Sequence, residues 1–333
     1  MSHLSFQLVE TADRVNSFIK EVVELEREPA LLYRAARHII DAGGKRLRPF
    51  LVLKSCKLVG GREEDAIPTA AALELLHTFT LIHDDIMDED EKRRGLPTVH
   101  TKWGVPTAIV SGDLLFAKVF ETITKYSDLE RVSPKRILQV LRNVSDATVT
   151  ICEGQTFDMM FEHKRTILEK EYFKMIQAKT AALFETSAKC GGILGGAKES
   201  QVALLGKYGY CAGIAFQLVD DVLGLTANEK ALGKPVGSDI REGKRTLIIV
   251  HALKHASRSQ RKKILETLGN SSSSPTKTKE IVGLVTSLGS IKYVENKAKE
   301  YIEESKKALS DFSDTKEREA LINLADLIFA RKH

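Results

Sequence analysis

Two carboxylate groupings in this chain have the residue types and spacing to do chemistry. The first closes the run Leu75-Leu76-His77-Thr78-Phe79-Thr80-Leu81-Ile82-His83-Asp84-Asp85-Ile86-Met87-Asp88. In a helix, Asp84 and Asp88 share a face one turn apart. Their charges repel unless something positive stands between them. The second grouping, Asp220-Asp221, follows another apolar run, Gly213-Ile214-Ala215-Phe216-Gln217-Leu218-Val219. A solvated acidic helix end would contain similar residues, but apolar anchoring of both pairs favours a metal. Hard carboxylate oxygens suit Mg²⁺, which keeps some of its waters and is usually shared with substrate phosphates. Two such helices facing one another would clamp a diphosphate through metal. No Cys/His spacing typical of zinc competes with this.

Cations supply the matching half. After Glu89, Asp90 and Glu91 the charge reverses to Lys92, Arg93 and Arg94. Upstream, Gly43-Gly44-Lys45-Arg46-Leu47-Arg48-Pro49 sets three cations beside a diglycine. Lys179, Lys234 and Lys244 stand alone in helical or glycine-bearing segments. Guanidinium forks and lysine point charges are what a diphosphate needs. The spacing of residues 43–49 is not that of a Walker loop, which argues against nucleotide hydrolysis.

The elements that must position these groups read as helices. Pro134 and Pro235 bracket a long stretch without proline, and Ala, Leu, Glu and Lys are abundant. The pattern predicts helices over 5–26, 30–42, 48–59, 64–90, 105–126, 134–162, 167–195, 199–226, 246–268, 276–286, 290–309 and 314–331. Ser133-Pro134 reads as a helix start, and residues 311–314 offer a cap for the last helix. The polar run 269–275 reads as a mobile surface loop, and 233–245 as a closing lid. The chain has 333 residues, 43% of them apolar, enough for a large core in one all-helical domain over 1–333. Net charge is only +5, from 50 basic and 45 acidic residues, and basic residues do not alternate with aromatic ones. Nucleic acid is therefore disfavoured as a partner. Cys56, Cys152, Cys190 and Cys211 lie in apolar segments without a CxxC and read as buried, reduced thiols. Neither a secretory signal nor a membrane-spanning run of 18 uncharged apolar residues is read, so a cytoplasmic protein without stable membrane insertion is expected.

With these residues in view, the chain resembles the trans-isoprenyl diphosphate synthases, especially their archaeal short-chain members that make geranylgeranyl diphosphate. The resemblance covers nearly the whole length. It rests on Gly44 to Pro49, His77 to Asp88 with Arg93-Arg94-Gly95, Gly154-Gln155-Thr156-Phe157-Asp158 and Lys179-Thr180. Further on it includes Phe216 to Asp221, Gly233-Lys234-Pro235 and Asp239 to Lys244. It implies a single all-α bundle around a deep central cavity, usually a homodimer. It also implies three Mg²⁺ ions, with Mn²⁺ as a substitute, held by Asp84, Asp88 and Asp220 and supported by Asp85 and Asp221. The allylic diphosphate would be held by Arg93, Lys179, Thr180, Gln217, Lys234 and Lys244. Isopentenyl diphosphate would lie on Lys45, Arg48, His77 and Arg94. In the family, the departing diphosphate takes the proton lost after coupling. One departure stands out: the second acidic motif ends in Gly224 where many members have a third Asp.

By the same resemblance, product length is set five residues before Asp84, at Phe79, with Thr80 and Leu76 beside it. A C20 product is expected, with C15 as intermediate or co-product; a farnesyl or mixed synthase is the alternative. A terpene cyclase fits poorly, because Gly224 and Asn228 fall where its second metal motif needs ligands. A phosphohydrolase would not need two basic sets. A regulatory subunit of a prenyltransferase complex is the non-enzymatic alternative.

Overall fold

The computed structural model describes residues 3–226, 237–270 and 272–331. Helices form where proline is sparse. They are α1 (His3–Val22), α2 (Ala30–Asp41), α3 (Leu47–Leu58), α4 (Glu63–Met87), α5 (Val99–Trp103) and α6 (Val105–Tyr126). Next come α7 (Pro134–Glu162), α8 (Glu169–Ile176), α9 (Ala182–Gly195), α10 (Glu199–Thr226) and α11 (Ser238–Glu242). The chain ends with α12 (Leu247–His255), α13 (Arg258–Thr267), α14 (Pro275–Ser287), α15 (Ser290–Lys307) and α16 (Lys316–Ala330). Among the described residues the only sheet is a two-stranded hairpin, β1 (Lys92–Arg93) and β2 (Leu96–Pro97).

The chain divides into two compact units. The first comprises Met1–Asp146, Thr186–Gly206 and Asp311–Asn323; the second comprises Ala147–Glu185, Lys207–Ser310 and Leu324–His333. In the first, α4 packs against α1, α3 and α6. Ala70, Ala71, Ala72, Leu73, Leu75 and Leu76 are all buried, so α4 is apolar around most of its circumference, as a central helix must be. Each fully buried leucine there contributes about 1.5–3 kcal/mol. Leu76 therefore belongs to this core. The second unit has its own core, in which Leu218, Val219 and Val222 of α10 meet Ile248 and Ile249 of α12 and Val294 and Ala298 of α15.

Most helix boundaries agree with the sequence to within a few residues, and the differences have local causes. The segment 246–268 forms two helices because Ser257 caps α13: its hydroxyl accepts from Gln260 N, and Gln260 Oε1 accepts from Ser257 N. The segment 167–195 contains a π-helical turn, Gln177–Ala181. The last helix is capped by Thr315, whose hydroxyl accepts from Arg318 N, rather than by 311–314. Cys56, Cys190 and Cys211 are buried, but Cys152 is exposed on α7, so the buried reading fails for that thiol. By length and composition α10 could span a bilayer, but 61% of its most apolar window is buried within the protein, as in a core helix.

Candidate active site

The first unit carries the Asp84 motif at the end of α4. The helix stops at Met87, short of the expected 90, because a Schellman motif closes it: Asp90 N donates to Asp85 O (2.9 Å) and Glu89 N to Ile86 O (3.4 Å). Glu89 takes the left-handed position (φ 54°), which usually falls to glycine and costs a non-glycine residue about 1–2 kcal/mol. Asp88 N donates to Asp84 O at 2.8 Å, so Asp84 and Asp88 keep the one-turn spacing read from sequence. Both are half-buried, whereas Asp85 is buried. Arg93 Nε donates to Asp85 Oδ1 at 2.6 Å, while Asp85 Oδ2 is buried with no hydrogen-bond partner among the described residues. Burial outweighs Arg93 and pushes the Asp85 carboxyl up to about 6.

The hairpin after this motif aims its arginines. β1 and β2 pair Arg93 with Leu96, which leaves Arg94-Gly95 as a two-residue turn with φ 53° and 78°. A β-carbon added at Gly44 would stand 3.1 Å from Nη1 of both Arg94 and Arg46, so the diglycine lies against this turn. His77, half-buried on α4, is kept neutral: burial lowers its pKa well below the usual value, and Arg48, Arg94, Arg93 and Arg46 lower it further. Burial and neighbouring Arg46 also lower the pKa of Arg94. Arg48, Arg93 and Arg94 thus lie within electrostatic reach of His77. Lys45 is exposed at its edge in sequence, just before α3. Arg46 is the structural cation of the basic run. It is buried, bonded to Glu74 (2.6 Å), Ile40 O (2.7 Å) and Asn16 Oδ1 (2.9 Å). Removing either partner of such a buried pair costs about 3–5 kcal/mol.

The second unit carries the other carboxylates. Asp221 is buried and accepts from Tyr172 Oη (2.6 Å) and Gln217 Nε2 (2.9 Å). Burial still raises its carboxyl to about 7. Thr180 Oγ1 donates to Gln217 Oε1 at 2.7 Å, extending the network to the π turn. Lys179 lies on the same turn and pairs with Asp158 Oδ2 at 2.7 Å. A π turn widens the helix and often marks a functional position. Gly154 lets α7 approach it: a β-carbon there would stand 2.3 Å from Lys179 N, a distance no side chain tolerates. Asp158, Lys179, Gln217, Asp221 and Lys244 line one pocket of this unit, and Lys244 pairs with Glu242 at 3.0 Å. Asp220 is a third exposed and pairs with Arg331.

Gly224, the departure in the second motif, also has a steric reason. A β-carbon there would stand 2.5 Å from Asp239 Oδ2, so the Asp239 carboxylate uses the space a side chain at 224 would fill. Gly237 N donates to Gly224 O at 3.1 Å and fixes the approach. Lys234 and the 233–236 part of the expected lid lie outside the described residues, as does Asn228.

Phe79 lies on α4 in an aromatic row with α6. Its ring centroid is 4.8 Å from His83 and 5.3 Å from Phe116, and Phe116 is 5.2 Å from Phe120. Thr80 is half-buried, and its hydroxyl donates to His77 O. Sequence reading missed Phe116, Phe120, Tyr172 and the Asp158 partnership. The i,i+4 spacing of the two phenylalanines on α6 was the available signal for the first pair.

Comparison with known proteins places this all-α arrangement in a family. The polyprenyl synthetase family model matches residues 29–285. The short chain isoprenyl diphosphate synthase of Methanothermobacter thermautotrophicus is 44% identical over 321 residues, covering 96% of this chain and 95% of that protein. The geranylgeranyl diphosphate synthase of Sulfolobus acidocaldarius is 41% identical, with all of both chains covered. Among solved structures, the geranylgeranyl pyrophosphate synthetase of Pyrococcus horikoshii has a TM-score of 0.92 at 44% identity, covering 98% of each chain. The chain belongs to the polyprenyl synthetase family and has its all-α fold.

Proposed function

We propose that this enzyme joins isopentenyl diphosphate head to tail with C5, C10 and C15 allylic diphosphates, giving mainly all-trans geranylgeranyl diphosphate and pyrophosphate. The observation that carries this is the set of arginines, Arg48, Arg93 and Arg94, within electrostatic reach of His77, two turns before Asp84 on the same helix. Such a set suits a multiply charged phosphate, and the relatives named above are synthases of such compounds.

In this reading Lys45, Arg48, His77 and Arg94 hold isopentenyl diphosphate, His77 as a neutral hydrogen-bonding group. Arg93, Lys179, Lys244 and Lys234 hold the allylic diphosphate. Lys179 and Lys244 exchange their present carboxylate partners, Asp158 and Glu242, for the substrate. Thr180 and Gln217, which are oriented by the hydrogen bonds that end on Asp221, complete the allylic diphosphate site. Preformed dipoles of this kind cost no reorganisation when charge develops.

The carboxylates fit divalent metal. Among the described residues no three acidic, His or Cys ligands gather into a metal site on their own. An ion shared with phosphate oxygens needs only one or two. Asp84 and Asp88, one turn apart, and Asp220 would hold Mg²⁺, three ions in all with Mn²⁺ as a substitute; Asp85 and its unpartnered buried oxygen support them. When bound, Mg²⁺ supplies the Lewis acid that stabilises charge on the departing diphosphate. The two sets of carboxylates serve one reaction in one prenyltransferase domain, which works as a homodimer in the cytoplasm.

The direct test incubates purified protein with labelled isopentenyl diphosphate and each allylic diphosphate, with and without Mg²⁺, and measures product length. Mg²⁺-dependent C20 product is expected; no product from any starter rejects the assignment. A second prediction follows from the π turn. Gly154→Ala should force α7 away from Lys179 and lower kcat roughly 10- to 100-fold, because displacements near 1 Å are costly at a reacting centre. Steady-state kinetics with thermal melting checks it; kcat unchanged in a folded variant contradicts it.

A further inference from the structure

The end of the chain comes back to a carboxylate that the proposed function gives to metal. Arg331, just after α16, places Nη2 3.0 Å from Asp220 Oδ1. Its guanidinium carbon lies 4.5 Å from the centre of the Phe216 ring, one turn before Asp220 on α10. Its other terminal nitrogen, Nη1, is buried with no hydrogen-bond partner among the described residues. The guanidinium is thus held on one side by charge and on its face by an aromatic ring, with no partner for Nη1 among the described residues.

An ordinary surface ion pair would be fully hydrated and worth little. This one differs in two ways. Its anion is the carboxylate expected to bind metal, and its cation carries a buried N–H with no partner among the described residues. We infer that Arg331 is the resting counter-ion of Asp220 and competes with the divalent cation for that carboxylate. In the empty enzyme it neutralises Asp220 within the unit that also holds Asp221 and Asp239. When metal arrives, Arg331 must let go of Asp220, so metal loading is coupled to release of the Arg331 side chain. This inference rests on the proposed metal role of Asp220, and Arg331 acts as a positioning residue through that carboxylate.

The test is direct metal binding to the full-length protein. Mn²⁺ is titrated in the presence of inorganic pyrophosphate, and free Mn²⁺ is read by electron paramagnetic resonance. Arg331→Gln should tighten Mn²⁺ binding roughly two- to fivefold, the size expected for losing one partly exposed competing charge. Arg331→Lys, which keeps the charge, should stay near the wild type and guards against a folding artefact. In an Asp220→Asn background the Arg331→Gln change should have no effect. Equal or weaker Mn²⁺ binding by a folded Arg331→Gln variant overturns the inference, as does tightening that persists without Asp220. Absence of Mn²⁺ binding by both wild type and variant also overturns it. Prenyl transfer measured on the same preparations separates the two ideas. Lack of product with any allylic starter rejects the proposed function, whereas normal product with unchanged Mn²⁺ affinity rejects only the role of Arg331.

Discussion

Asp84→Ala is expected to lower turnover by more than about a hundredfold while leaving the protein folded, since removing one charge-stabilising group from a reacting centre costs about 10²–10³ in rate. The structure separates this residue sharply from its neighbour. Asp84 is half-buried at the helix end and is not part of the apolar core of α4. Asp85 is buried and takes the Arg93 hydrogen bond, so Asp85→Ala would strand a guanidinium as well as remove a carboxylate. Loss of activity at position 85 would thus mix folding with chemistry more than loss at 84. Turnover at saturating substrates, measured across a Mg²⁺ series and set beside a thermal melt, reads the effect. Near-normal turnover of Asp84→Ala would remove Asp84 from the metal site. A large drop in melting temperature would mean that the carboxylate serves the helix end rather than the reaction.

Much of this architecture could be read from residue order, and the reasons are local. Helices α7 and α10 fall where predicted because proline-free, leucine- and alanine-rich runs with clear starts leave few alternatives. The acidic motif was legible because i,i+4 spacing survives folding: Asp88 N still bonds Asp84 O. What escaped depended on tertiary contact or on a single local bond. The break at Ser257 needed attention to the Ser-x-x-Gln pattern inside an otherwise continuous run. The π turn could not be seen, and its close neighbour Gly154 on α7 lies 25 residues away in sequence from Lys179. Nor could sequence distinguish Arg46, buried on Glu74, from Lys45 and Arg48 beside it. Three cations in a row look alike until one of them finds a buried glutamate. The missing third aspartate at 224 has a similar explanation, since the Asp239 carboxylate lies where its β-carbon would be.

The second large effect expected is on product length. In the proposed reading the growing chain runs along the face of α4 that meets α6, and Phe79 stops it. The aromatic row gives this a graded form: Phe79 packs beside Phe116, and Phe116 beside Phe120. Phe79→Ala should open one tier and move the main product beyond C20, while Phe79→Ala with Phe116→Ala should lengthen it again. The same truncations remove ring contacts with His83 and Phe120, so some stability is lost too. The cost should fall below the 3–5 kcal/mol typical of a fully buried phenylalanine, because both rings are only partly buried. Chromatographic sizing of products from the C15 starter distinguishes the cases. Longer products from the single variant, and longer still from the double, place both rings under the tail. An unchanged product spectrum, accompanied by a lower melting temperature, would mean that Phe79 packs α4 on α6 and leaves chain length to other residues.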